Sequence, residues 1–178
     1  MSNPFAPYEL SPFEDARDRA GEIDLLTRCY AEYGQVIELD TLDEDLFEIE
    51  RRYCPPASAF WVLRDGPRLV GSVAVKGIDG STAELKRVFL DAALRGRGLG
   101  KALSRWAIDW ARDAGYTRLD IWSDVLYETA HRLYLGLGAH DTGETRELGG
   151  RNHVFERGFV LDLGGPPPPG RQLPEGTP

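Results

Sequence analysis

The sequence predicts an α+β fold, a mixed and mostly antiparallel twisted sheet flanked by helices, as one domain over residues 1–163. Three observations predict it. Apolar runs between Ala59 and Leu90 are joined by short turns, which implies an antiparallel meander. A glycine-rich turn, Arg95-Gly96-Arg97-Gly98-Leu99-Gly100-Lys101, then leads from the last run into a helical pattern, and a strand pattern at Arg118–Trp122 completes a βαβ-like crossover. Finally, 42% hydrophobic and 10% aromatic residues over 178 positions supply a substantial core and exclude a disordered chain.

The elements follow in order. A short strand is expected near Tyr8–Leu10, between Pro7 and Pro12. Ala16–Tyr33 reads as a helix ending at Gly34, and Asp43–Tyr53 as a second, stopped by Pro55-Pro56. The meander comprises Ala59–Arg64, Leu69–Ile78 and Ala83–Leu90, with turns at Asp65-Gly66-Pro67 and Asp79-Gly80. Leu99, Leu103, Trp106, Ala107, Trp110 and Ala114 recur at helical spacing, and Gly115 stops that helix. Leu126, Ala130, Leu133, Tyr134 and Leu137 mark a further helix closed by Gly138. Strands near Glu144–Leu148 and Asn152–Leu163 flank Gly149-Gly150. The tail over residues 164–178, rich in proline and glycine, is expected to be disordered. Trp61, Trp106, Trp110 and Trp122 follow strand and helix periodicity and are expected in the core.

Composition narrows the function. A net charge of −8, from 29 acidic and 21 basic residues, disfavours nucleic acid and favours cationic partners such as amines. Charge is unevenly spread: Glu38, Asp40, Asp43, Glu44, Asp45, Glu48 and Glu50 form an acidic run without a base, read either as a solvated helix face or as an acceptor-side wall. No apolar run reaches the roughly 18 residues of a membrane span, and no signal-peptide pattern follows Met1, so a cytoplasmic protein without membrane contact is expected. Cys29 and Cys54 are expected to be reduced structural thiols. There is no H-E-x-x-H and no Cys/His cluster, so no metal is expected, and His131, His140 and His153 are poor catalytic candidates.

A glycine turn between strand and helix directs backbone N–H groups at the positive end of a helix dipole, a seat for phosphate. Arg95, Arg97 and Lys101 add charge. A P-loop is excluded, because three residues separate Gly96 from Gly100 and Ala102 follows Lys101. The dinucleotide fingerprint fails because Lys101 occupies its last glycine position.

The turn resembles the pyrophosphate loop of the GCN5-related N-acetyltransferases, Arg/Gln-x-x-Gly-x-Gly/Ala, at Arg95, Gly98 and Gly100. Ala83–Leu90 resembles that family's fourth strand, and Ala130-His131-Arg132-Leu133-Tyr134 with Gly138 its A-x-x-L-Y-x-x-x-G-F signature. The resemblance covers roughly residues 8–163, with two departures: Ala139 stands where the family usually has Phe, and Tyr127 where many members have Asn. It implies the family fold and acetyl-CoA as cofactor, with CoA as product. Gly96–Lys101, including Leu99, would hold the pyrophosphate beside Arg95, and Val88, Phe89 and Leu90 would pair with the pantetheine arm.

Acyl transfer to an amine needs a neutral amine, a stabilised oxyanion and a protonated leaving thiolate. The resemblance implies that Tyr134 is the general acid; its other reading is part of an apolar helix face. Glu84, eleven residues before Arg95 as in the histone acetyltransferase branch, is the candidate base, or else an ion-pair partner of Lys86 or Arg87. Glu44 or another acid of the 38–50 run is the alternative base. The expected activity is direct transfer of acetyl to a primary amine of a small molecule or amino acid. A non-catalytic acyl-CoA-binding sensor, or acetylation of a protein N-terminus or lysine, stays open as an alternative, as does a homodimer.

Overall fold

The computed structural model describes residues 3–165 and has the expected architecture. In chain order the elements are β1 (Glu9–Pro12), α1 (Asp15–Ala31), a 3-10 turn (Glu44–Phe47), α2 (Ile49–Arg52), β2 (Ala59–Asp65), β3 (Arg68–Gly77), β4 (Thr82–Leu90), a 3-10 turn (Ala92–Leu94), α3 (Leu99–Asp113), β5 (Arg118–Asp124), α4 (Glu128–Gly136), β6 (His140–Gly149) and β7 (Val154–Asp162). The seven strands form one sheet in the order β1-β2-β3-β4-β5-β7-β6. Only β4 and β5 are parallel, joined by α3 as the crossover; every other pair is antiparallel. The tail expectation falls on residues 166–178, outside the described residues.

Two apolar layers hold the sheet. Alternation along β2 sends Trp61 and Leu63 to one face and Phe60 and Val62 to the other. The first face is covered by α3 through Leu103, Ala107 and Ala111, all completely buried. The second is covered by α1, the 3-10 turn and α2 through Leu26, Leu46 and Ile49. Burying each such leucine contributes about 1.5–3 kcal/mol.

Three expectations are corrected. Asp43–Tyr53 is not one helix but a 3-10 turn followed by the four-residue α2. Its apolar residues are only partly periodic, and side-chain ties of Asp43 and Asp45 decide its path. The tryptophans do not all lie in the core: Trp106 is 46% exposed, packed edge-on against Phe5 and Trp61, and Trp122 is half-buried beside the candidate site. Cys54 is exposed, whereas Cys29 is buried; both thiols are free.

One core residue is expected to make stability depend on pH. Glu22 of α1 is fully buried, and neither carboxyl oxygen has a hydrogen-bond partner among the described residues. The nearby Ser72 hydroxyl donates instead to the carbonyl of Arg87, at 3.0 Å. Burial pushes the Glu22 carboxyl from 4.5 up to about 7. Between those values the folded chain holds a proton that the unfolded chain has released, so this group's contribution to stability falls as pH rises and levels off above the upper value. Glu22→Gln removes that loss. Paired urea melts should show the variant gaining on the wild type from pH 4.5 to pH 8; a difference independent of pH overturns the assignment.

Candidate active site

The site begins with a mismatch between β3 and β4. Ala74 pairs with Lys86 and Ser72 with Phe89, so β4 spends one more residue than β3 over this interval. This is a β-bulge, and Arg87 within it adopts φ 53°, a left-handed conformation rare for a residue with a side chain. The strain is offset by the Arg87 guanidinium, which is buried and paired with Asp43 and Asp45. Burial alone would lower its proton affinity, but those carboxylates and the nearby phenols of Tyr30 and Tyr53 raise it, so the charge is kept.

Past the bulge the sheet opens. β4 and β5 pair only from Thr82↔Arg118 to Leu85↔Ile121. Beyond that, Trp122–Asp124 pair only with β7, and Lys86–Leu90 are bonded along the β3 side alone. The other backbone edge of Val88–Leu90 therefore faces a cleft and, apart from the Leu90 carbonyl that Arg95 holds, can bond an extended amide-bearing ligand.

At the end of that cleft stands the N-terminus of α3. Gly98 is the N-cap with φ 83°, and Gly96 before it has φ 74°. The first intrahelical bond is donated by the Ala102 N–H to the Gly98 carbonyl, so the N–H groups of Leu99, Gly100 and Lys101 have no helical acceptor. A Cβ at Gly96 or Gly98 would meet nothing within 4 Å, so the turn's outer face is open. An anionic diphosphate with an amide-bearing arm fits this pairing of free helix donors and free strand edge. The residues expected there divide by role. Lys101 borders the cavity of about 300 Å³ next to the turn. Leu99 turns its side chain into the core and Arg97 is exposed. Arg95 borders the cavity, but its guanidinium is tied to both carboxylate oxygens of Glu32 (2.5 and 2.8 Å) and to the Leu90 carbonyl (3.0 Å). Cys29 lies against it, its thiol pushed up to about 11 by burial.

On the far side of the opened strands lies a second cavity, of about 170 Å³, bordered by Glu84, Lys86, Trp122, Tyr134, Arg146 and Glu156. The two cavities share Val88, Phe89, Tyr127 and Ala130. Tyr134 is 5% exposed and packs on Phe159, with ring centroids 6.0 Å apart. Its hydroxyl makes no hydrogen bond to the protein among the described residues, and burial, with the charge of Glu156, pushes its pKa well above the usual phenol value. Glu84 lies 3.2 Å from the Lys86 ammonium and 3.6 Å from the Arg146 guanidinium. Arg146 also binds Glu156 at 2.6 Å and lies over the Trp122 ring, 4.4 Å from its centroid. Glu84 and Tyr134, expected from the sequence, thus face one cavity.

The acidic run splits into two groups. Glu44 is exposed and Glu48 half-buried, and both pair with Arg52. Asp43, Asp45 and Glu38 are buried and bonded, so they are not a solvated helix face. Of the alternative bases, only Asp43 borders the second cavity, and Arg87 already holds it. Arg146 and Trp122 went unrecognised in sequence: they are distant from the motifs, and only the β5-β7-β6 pairing brings them together. Tyr127 caps α4 and donates its hydroxyl to Gln35 Oε1 at 2.8 Å, with Gln35 in turn donating to Asp124 at 2.6 Å. His131 is buried, with Nε2 3.0 Å from the Asp124 carbonyl, and borders neither cavity. Among the described residues no group of His, Cys, Asp and Glu could hold a metal, and no helix is long and apolar enough to cross a membrane.

Comparison with known proteins gives a consistent picture. A model described as the acetyltransferase (GNAT) family matches residues 23–139 of the 178. N-acetylaspartate synthetase of Danio rerio is 35% identical over 121 residues, covering 65% of this chain and 43% of that protein. The chain spans about half, or less, of the length of the curated relatives it matches. Among solved structures, an acetyltransferase from Streptococcus agalactiae superposes with a TM-score of 0.76 at 24% identity, covering 89% of this chain and 99% of that one. YncA of Salmonella typhimurium, solved with its cofactor acetyl-CoA, gives 0.68 at 18% identity, covering 93% and 99%.

Proposed function

The chain belongs to the acetyltransferase (GNAT) family, and from that premise we propose that it is an N-acetyltransferase, moving an acetyl group from acetyl-CoA to the primary amine of a small molecule such as an amino acid. The observation that carries this is the opened β4–β5 edge, which runs from the free N–H groups of α3 to the cavity shared by Glu84 and Tyr134. Bound acetyl-CoA would supply an activated thioester. The Leu99, Gly100 and Lys101 N–H groups would hold its diphosphate, and the free edge at Val88–Leu90 would align its arm and polarise the acyl carbonyl. Glu84 Oε takes a proton from the acceptor ammonium, leaving the nitrogen lone pair free to attack. As the C–N bond forms and the C–S bond breaks, the Tyr134 hydroxyl would give its proton to the departing sulfur and recover the second proton that the acylated nitrogen releases, leaving amide, CoA thiol and one proton on Glu84. The cations Lys86 and Arg146 border the same cavity and would be the groups to take an acceptor's carboxylate, a reading supported by the likeness to a protein named N-acetylaspartate synthetase.

The test is thiol release from acetyl-CoA over a panel of aspartate, glutamate, neutral amino acids and diamines, with products weighed by mass spectrometry. Release is expected with an amino-acid subset. Glu84→Gln is expected to lower kcat/KM for the best acceptor about a hundredfold, the scale of one lost proton-transfer group. CoA binding without turnover of any amine would point to a binding module; unchanged kinetics in the variant would make Glu84 an ion-pair residue only.

A further inference from the structure

Glu22 lies where α1 packs on β3 and β4, beside Ser72 and near the Arg87 guanidinium. It is completely buried, yet neither carboxyl oxygen is hydrogen-bonded to a described residue. Buried polar groups are almost always bonded, so a carboxyl left in this state is unusual.

The charges around it favour the neutral acid. Arg87 of β4 already faces two carboxylates, Asp43 and Asp45. The phenols of Tyr30 and Tyr53 stand against those same two acids. On α1 itself, Asp18 is buried and paired with Arg64 of β2 and with Arg17. Ionised Glu22 would bring a third carboxylate near one guanidinium, with no cation of its own. Burial is the main cause that raises this group to about 7; Asp45 and Asp18 push the same way, and Ser72 and Arg87 only partly oppose them.

A neutral acid has an O–H to donate, and Ser72 can accept it. The Ser72 hydroxyl, also completely buried, spends its single hydrogen on the Arg87 carbonyl at 3.0 Å, which leaves its lone pairs as acceptors. An O–H from Glu22 completes a chain from Glu22 through Ser72 to the Arg87 carbonyl, whose bonds polarise one another. The end of that chain lies in the site. The Arg87 carbonyl and the Val88 N–H belong to one planar trans peptide, so fixing the first toward Ser72 turns the second the opposite way. Arg87 and Val88 are the residues of β4 left out of the register with β3, and Val88 borders both cavities.

We propose that Glu22, as the neutral acid, is a positioning residue for acetyl transfer: through Ser72 it fixes the Arg87–Val88 peptide and so aims the Val88 N–H that polarises the acyl carbonyl. This rests on the acetyltransferase reading above. Glu22 itself touches no reacting atom. Ionisation undoes the arrangement. A carboxylate is the stronger acceptor, so the Ser72 hydrogen turns to it and the Arg87 carbonyl loses its donor.

Two measurements test this on the wild type, Glu22→Gln, Ser72→Ala and the double variant, with folding checked by thermal melts. The first follows the Val88 amide by NMR in the ligand-free protein. Its shift should titrate near pH 7 in the wild type and stay flat in Glu22→Gln and in Ser72→Ala. The second is single-turnover thiol release with the best acceptor from pH 6 to pH 9. In Glu22→Gln an amide N–H replaces the acid O–H as donor and cannot ionise. That variant should match the wild type at pH 6 and exceed it about tenfold at pH 9, a part of the roughly hundredfold or more that losing a whole oxyanion donor costs. Titration of the acceptor amine is common to both and cancels in the ratio. Ser72→Ala should be slower about tenfold at pH 6, and adding Glu22→Gln to it should change nothing further. A structural role alone would move the melting temperature and leave the rate ratio flat with pH. A flat ratio, a Val88 amide that does not titrate, or a Ser72→Ala variant with the wild-type rate and pH profile overturns this inference alone. A wild type that binds CoA and acetylates no amine overturns the acetyltransferase reading and, with it, this inference.

Discussion

Tyr134→Phe should lower kcat by about a hundredfold or more while leaving the fold and CoA affinity nearly unchanged. The substitution removes one oxygen and nothing else. The ring stays packed on Phe159, and since the hydroxyl bonds no described protein group, no partner is orphaned. On the proposed mechanism, what would be lost is the proton given to the departing sulfur. Burial raises this phenol above its ordinary value of 10, so it stays protonated across any practical assay range. Its ability to donate is therefore undiminished at alkaline pH, and a loss of activity between pH 7 and 10 would have to come from another group. Single-turnover thiol release gives the chemical step directly, and calorimetry gives the CoA affinity. An equal chemical rate in the variant would reduce Tyr134 to a core residue.

Gly98→Glu should abolish CoA binding in a chain that still folds. Gly98 caps α3 with φ 83°, where a side chain costs about 1–2 kcal/mol, and nothing lies within 4 Å of a Cβ there. The new carboxylate would project into the space beside the Leu99, Gly100 and Lys101 N–H groups, where it would compete with and repel the diphosphate proposed to bind there. Gly98→Ala is the control, since it carries the same backbone cost without the charge. Affinity lost with Glu and largely kept with Ala would place the diphosphate at this turn. Equal effects of the two would trace the loss to backbone strain, and no effect of Gly98→Glu would remove the turn from the binding site.

Much of this protein is legible from local pattern. The meander, the βαβ crossover and the helices that begin near Leu99 and end near Gly138 depend on periodicity and on Gly and Pro positions, which act over a few residues and need no distant partner. Hence Gly96, Gly98 and Gly100 read as a glycine turn opening a helix, which the fold has, whereas a shared reaction for Glu84 and Tyr134 is what the family resemblance implies and not what periodicity shows. Tertiary structure decided what depends on residues far apart in the chain. The acidic run reads as a helix face, yet Arg87 draws Asp43 and Asp45 inward across more than forty positions, and Glu38 reaches the turn at Arg151 and Asn152 across more than a hundred. Arg95 reads as a phosphate ligand, yet its guanidinium is bonded to Glu32, just past the end of α1. In each case a side chain leaving water must find an opposite charge or a backbone donor. Which one it finds is set by how the sheet brings strands together, a relation that sequence spacing does not encode.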